Sequence, residues 1–230
     1  MSRKIMTAKA EPVVDSRRRA VLGLGLAAFG AIVAGRAFPQ FSVVAHADAA
    51  VSETAQKIAD HFSNVQTMSG EFVQFGPRGE QTGGKFYIQR PGKIRFNYEK
   101  PSATTVVSDG RSVVIENVKL KTADVYPLSK TPLKLLLDDR IDLSGDKVQS
   151  VKEEDDLTTI QLVDKAVFGN ARLTMMFDPK SYELRQWTIT DAQGKDTTVM
   201  IFNVQEGVQF DQALFKINAR RLREFGRYNR

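Results

Sequence analysis

Apolar positions follow two different periods along this chain. Val51, Ala55, Ile58, Phe62 and Val65 recur at steps of four and three, which puts them on one stripe of a helix. Ser52 or Thr54 is placed to cap its start. After this helix the period becomes two. Phe86 and Ile88 alternate with Lys85, Tyr87 and Gln89, and Ile94, Phe96 and Tyr98 alternate with Lys93, Arg95 and Asn97. Val113–Ile115, Leu157–Val163, Leu173–Phe177, Leu184–Ile189 and Thr197–Phe202 read as further strands. Asp109-Gly110, Asp178-Pro179 and Gln193-Gly194 supply turns between them. Short strands in close succession, with few helices between them, predict an antiparallel sheet or barrel. Residues 129–139 break the strand rhythm. Thr131 is a candidate N-cap and Pro132 a first helical residue, with Leu133, Leu136 and Leu137 on one face and Leu135 directed elsewhere. From the residues alone, this helix either plugs a barrel mouth or covers an apolar cavity.

The start of the chain has a different character. Basic residues culminating in Arg17-Arg18-Arg19 precede a Gly- and Ala-rich apolar stretch over 20–35, and Ala45-His46-Ala47 has the small-x-small form of a cleavage site. About 20 apolar residues are needed to span a bilayer, so residues 1–47 are expected to be a cleaved secretory signal peptide rather than an anchor. The arginine run leaves Sec and twin-arginine export both open. This division changes the meaning of the net charge of +6. Residues 1–47 hold seven basic and two acidic side chains, and residues 216–230 hold six and one. The body between them has 20 basic and 24 acidic residues, which argues against nucleic acid as the partner. With no cysteine and with His61 the one histidine after the leader, thiolate and His-cluster metal chemistry has no material, and no metal or cofactor is expected.

Four segments, in order, resemble the outer-membrane lipoprotein carrier (LolA) family. They are Met68–Gln74 after the first helix, Gly84–Phe96 with its Gln89-Arg90-Pro91 step, Pro101 with Val106–Gly110, and Thr131–Leu137. The resemblance implies an α+β fold: an unclosed antiparallel β-barrel, or half-barrel, with an N-terminal helix and short lid helices over an apolar cavity. It implies a carrier domain over 48–217 that takes the acyl chains of lipoproteins and catalyses no reaction. Implied partners are an inner-membrane lipoprotein-releasing ABC transporter and an outer-membrane lipoprotein receptor, with the protein acting as a monomer in the periplasm. Pro132, Leu133, Leu136 and Leu137 become the lid helix, and Arg90 becomes a latch that hydrogen-bonds this lid when the cavity is empty.

Strand parity proposes Phe72, Phe86, Ile88, Ile94, Phe96 and Tyr98 as cavity lining, without saying which face is concave. Met175 and Met176 would suit a pocket that adapts to flexible chains. The C-terminus departs from the family pattern. Asp211–Ile217 resembles its final strand, but residues 218–230 form a basic tail, read as a solvated end or as a segment drawn to anionic membranes. Rival readings are a sensor or a carrier of another lipid on the same fold, and a hydrolase using His61. The sequence has no G-x-S-x-G elbow, and the carboxylate runs Asp138-Asp139 and 153–156 read as solvated loops.

Overall fold

The computed structural model describes residues 52–143 and 147–228. The proposed leader and Val51 of the helical stripe lie outside the described residues. Helix α1 (Glu53–Asn64) begins at Ser52, whose hydroxyl accepts from the Ala55 N–H at 3.0 Å. Its apolar stripe, Ala55, Ile58, Ala59 and Phe62, is buried.

Eleven strands follow: β1 (Thr67–Phe75), β2 (Gln81–Gln89), β3 (Lys93–Tyr98), β4 (Thr104–Asp109), β5 (Ser112–Asn117), β6 (Thr122–Pro127), β7 (Val148–Glu153), β8 (Thr158–Val163), β9 (Arg172–Phe177), β10 (Leu184–Thr190) and β11 (Asp196–Glu206). They form one sheet in the order β6-β5-β4-β3-β2-β1-β11-β10-β9-β8-β7, with antiparallel neighbours throughout. Strands β6 and β7 are its two edges and do not pair with each other, so the barrel is unclosed. Two local meanders, β1–β6 and β7–β11, are joined by the single long-range pair β1·β11, which runs from Met68↔Glu206 to Phe75↔Thr198.

The period of two sorts side chains between the faces of this sheet. On one face Phe72, Phe86, Ile88, Ile94, Phe96, Leu173, Met175, Phe177, Trp187, Val199 and Ile201 share one apolar core with α1. Phe62 of α1 meets Phe177 edge-on at 5.6 Å between ring centroids. The chain between β6 and β7 adds helix α2 (Leu133–Leu136), and a further short helix, α3 (Lys165–Phe168), separates β8 from β9.

Three expectations need correction. Helix α2 has no side-chain cap, because the Thr131 hydroxyl donates back to the Leu128 carbonyl at 2.9 Å and Pro132 takes the cap position. Leu135 is buried beside Leu136 and Leu137 rather than directed away, since a one-turn helix lying on a concave surface buries most of its circumference. Residues 212–215 form a 3₁₀ turn, not a strand, held by the Asp211 carboxylate accepting from the Ala213 N–H at 2.8 Å.

The basic tail is a fourth helix, α4 (Ala219–Tyr228), lying against β6. Phe215 and Phe225 are buried with Val107 and Val114, on the sheet face opposite the main core. Arg221 Nη1 meets Glu116 Oε2 at 2.9 Å, and the Glu116 side chain is only 7% exposed. A docked helix therefore replaces the solvated end expected from its composition.

Candidate functional site

At one end of the core-bearing face, α1 and the core fall away and leave an apolar cleft of about 410 Å³. This lies within the range of about 300–1,000 Å³ usual for small-molecule pockets. Its walls come from both meanders: Phe96, Tyr98 and Val106 from β3 and β4, and Trp187, Ile189 and Val199 from β10 and β11. Leu133 of α2 closes one side, while Thr82, Ser102 and Thr104 give it polar margins. Trp187 is the one tryptophan of the chain, and its ring lies 6.2 Å from that of Phe96.

The residues proposed from strand parity all share this face but divide between two roles. Phe96 and Tyr98 line the cleft. Phe72, Phe86, Ile88 and Ile94 are buried in the core beneath and beside it. Phe72 supports the lining rings directly, edge-on to Phe96 at 4.8 Å and to Tyr98 at 5.1 Å. The Tyr98 hydroxyl donates to Gln74 Oε1 at 2.6 Å, and burial pushes its pKa up to about 12 despite that bond. Gly84, opposite Tyr98 in the β2·β3 ladder, lets β3 approach so closely. A Cβ there would lie 2.0 Å from the Asn97 carbonyl oxygen.

Of the four proposed lid residues, Leu133 reaches the cleft. Leu136 and Leu137 are buried in the core, and Pro132 starts the helix. The sequence reasoning missed the opposite wall, Trp187, Ile189 and Val199. The strands that carry it were legible, and their inward parity was the available signal. Met175 is a fully buried core residue, whereas Met176 falls on the other face and accepts a hydrogen bond from Gln186.

Arg90 lies at the far end of β3 from Tyr98, roughly 17 Å along the strand at about 3.4 Å per residue. It is 3% exposed. Its Nη2 donates to the carbonyl oxygens of Phe62 and Val65, and its guanidinium carbon sits 3.9 Å above the centre of the Phe62 ring. The Arg90 N–H donates to the Gln66 carbonyl at 2.8 Å. These are contacts with the end of α1, not with the expected lid helix. The reason is local: the turn after β2 abuts a helix C-terminus, where carbonyls lack intrahelical donors. The tie to the end of α2 is a backbone one, from the Gly92 N–H to the Leu137 carbonyl at 2.9 Å. Arg90 Nε and Nη1 are buried without hydrogen-bond partners, and desolvation pulls the guanidinium pKa down to about 10.

His61 lies on α1 with Nε2 3.9 Å from Glu206, and Nε2 makes no hydrogen bond. Asp138 pairs with Lys134, and the loop carboxylate Glu154 pairs with Lys152 at 2.6 Å. Among the described residues no group of three or more His, Asp or Glu side chains could hold a metal ion, and no helix is long and apolar enough to cross a membrane.

The chain has relatives among known proteins. An outer-membrane lipoprotein carrier protein of Leptothrix cholodnii is 31% identical over 169 residues, covering 69% of this chain and 78% of the relative. One from Methylococcus capsulatus is 26% identical over 171 residues, covering 70% and 82%. A solved LolA superfamily protein from Nitrosomonas europaea superposes with a TM-score of 0.40 at 9% identity, over 72% of this chain and 99% of that one. Residues 63–218 match the family described as outer membrane lipoprotein carrier protein LolA, and the chain belongs to that family.

Proposed function

We propose that this protein shelters the acyl chains of lipoproteins in the cleft between β3–β4 and β10–β11 while it moves them through the periplasm from the inner to the outer membrane. The observation that carries this reading is the apolar cleft itself, walled by Phe96, Tyr98, Val106, Trp187, Ile189 and Val199 and flanked by Leu133. Each methylene moved from water into such walls gains about 0.8 kcal/mol. A chain of a dozen buried methylenes therefore gains roughly 10 kcal/mol, enough to make free lipid in water negligible. No bond needs to be made or broken, so the reading is of a carrier, not an enzyme.

In this proposal the signal peptide over 1–47 delivers a monomeric carrier domain, 48–217, to the periplasm. An inner-membrane ABC transporter loads it and an outer-membrane receptor takes the cargo. Arg90 acts at a distance from the cleft. Its bonds to the Phe62 and Val65 carbonyls hold α1 in the core, and release of these bonds accompanies the opening that admits cargo. Loading and opening are then one coupled equilibrium driven by relative affinities.

The sole tryptophan makes the test direct. A diacylated lipopeptide carrying brominated acyl chains should quench Trp187 fluorescence on loading, and Val106→Arg, which puts a charge into the wall, should abolish the quenching. Undiminished fluorescence at saturating lipopeptide would sink the proposed cleft.

A further inference from the structure

The β5–β6 hairpin turns at residues 118–121, and its sequence Val118-Lys119-Leu120-Lys121 is exposed at every position. Leu120 is 69% exposed and Val118 49%. Two large apolar side chains between lysines at a strand tip do nothing for the core. The tip is nevertheless preorganised: the Leu120 N–H donates to the Asn117 side-chain oxygen at 2.9 Å, and Asn117 Nδ2 donates to Thr104 Oγ1 at 3.2 Å.

Its position relative to the cleft is the informative part. The Val118 N–H donates to the Ala103 carbonyl at 3.1 Å, and the neighbours of Ala103, Ser102 and Thr104, both line the cleft. Ile115, on the strand leading to the tip, also lines the cleft and is 38% exposed. The hairpin tip is therefore tied by its backbone to the margin of the cleft, and Ile115 on the cleft side lies opposite Val106 of the lining.

Helix α4 packs against β6 of the same hairpin, and its Arg221 is anchored to Glu116, next to Asn117. Arg221 and Phe225 face the sheet, which leaves Arg220 and Arg223 exposed. Lys119, Arg220 and Arg223 outnumber the exposed acids of this edge, Asp124 and Glu224, whereas the body over 48–215 carries an acidic excess. The match to the carrier family stops at residue 218, one residue before α4 begins.

We propose that this edge docks the protein onto an anionic phospholipid bilayer. Val118 and Leu120 enter the headgroup–acyl boundary, and Lys119 with the α4 arginines holds the phosphates around them. Apolar insertion combined with basic attraction is the physics of reversible interfacial binding. Docked in this way, the mouth of the cleft faces lipid instead of water, so a chain can pass between bilayer and cleft with little of it exposed. The role in transfer rests on the carrier reading; the docking itself does not.

The test uses protein purified from the periplasmic fraction of an expressing cell and sedimented with vesicles of phosphatidylethanolamine and phosphatidylglycerol, or of phosphatidylcholine alone. The wild type should prefer the anionic vesicles, and 0.5 M salt should weaken that preference. Val118→Ser with Leu120→Ser should weaken binding to both vesicle types about tenfold or more, as expected for loss of two inserted apolar side chains. Arg220→Gln with Arg223→Gln should weaken only the anionic binding and flatten its salt dependence. A wild type that binds neither vesicle, or tip variants that bind as the wild type does, would overturn the proposal. Quenching of Trp187 by brominated lipopeptide, measured on the same samples, should be unchanged in all variants. Loss of quenching in the wild type with normal vesicle binding would refute the carrier reading and leave the docking edge standing.

Discussion

Replacing Gly84 by alanine adds one methyl group at the closest approach of β2 and β3. Built on this backbone, the new Cβ would lie 2.0 Å from the Asn97 carbonyl oxygen, 2.9 Å from its carbon and 3.0 Å from a ring carbon of Phe72. The first two are backbone atoms, so no rotamer change relieves the clash. Ordinary contact begins at 3.4 Å, and β3 must therefore retreat by more than an ångström. Overpacking of this kind costs about 1–3 kcal/mol, and a ladder hydrogen bond stretched by the retreat adds about 0.5–1.5 kcal/mol. The sum, about 1.5–4.5 kcal/mol, corresponds to roughly 3–18 °C in Tm for a domain of this size. Urea unfolding followed by Trp187 fluorescence reports it, with an unchanged m value showing that the unfolded state is unaltered. Because β3 carries Phe96 and Tyr98, its retreat should also change the affinity for brominated lipopeptide. Gly83→Ala is the internal comparison: its Cβ meets only the Phe72 carbonyl oxygen, at 3.1 Å, and should cost less than about 1 kcal/mol. If Gly84→Ala unfolds within about 0.5 kcal/mol of the wild type, or if Gly83→Ala is the worse of the two, the packing argument is wrong.

Three other substitutions or titrations probe separate parts of the molecule. Arg90→Leu leaves the Phe62 and Val65 carbonyls without their donor, which should destabilise the empty protein by about 1–3 kcal/mol. It should also slow delivery of loaded lipoprotein to its receptor, because the closed state loses its bonds; delivery at the wild-type rate would rule out the latch. Thr158 buries a hydroxyl that has no partner, so Thr158→Val should be neutral or stabilising by up to about 1.5 kcal/mol in thermal unfolding, and a loss of stability would show that the hydroxyl is satisfied in solution. Tyr98, with its pKa pushed above the ordinary tyrosine value of 10.0 to about 12, contributes stability that is complete below pH 10 and is lost as pH rises from 10 to 12. Ultraviolet titration should show the same number of tyrosinates near pH 11 in the wild type and in Tyr98→Phe, and one more in the wild type would show that Tyr98 ionises as an ordinary tyrosine.

Much of the fold is written in local patterns, because alternation and turn residues act over a few positions. That Phe86, Ile88, Ile94, Phe96 and Tyr98 share one face of β2 and β3 followed from alternation, and α1 followed from its stripe. The edge strands were harder to read. β6 and β7 are half solvated, so neither Thr122–Pro127 nor Val148–Glu153 shows a strong alternation. Parity placed six residues on one face but could not separate lining from core, since that depends on where α1 stops filling the concave side. The assignment of Arg90 to the lid failed for a related reason: which helix end meets the turn after β2 is a matter of tertiary placement. Helix α4 was hidden by its arginines, although a signal existed. The unbroken run Val113-Val114-Ile115 requires cover on both faces of β5, and Leu222 with Phe225 supplies apolar residues three positions apart for that purpose.

The seam between β1 and β11 has a consequence for the order of folding. Each meander can assemble from neighbours in the chain, but Met68–Phe75 finds its second partner only in Thr198–Glu206, after almost the whole domain has been made. Closing so large a loop is slow compared with forming hairpins. Until it happens, β1 and β11 are open edges, and the two walls of the cleft belong to separate half-sheets. The cleft is thus among the last features to exist, and a chain that has not closed this seam offers no cleft to any ligand.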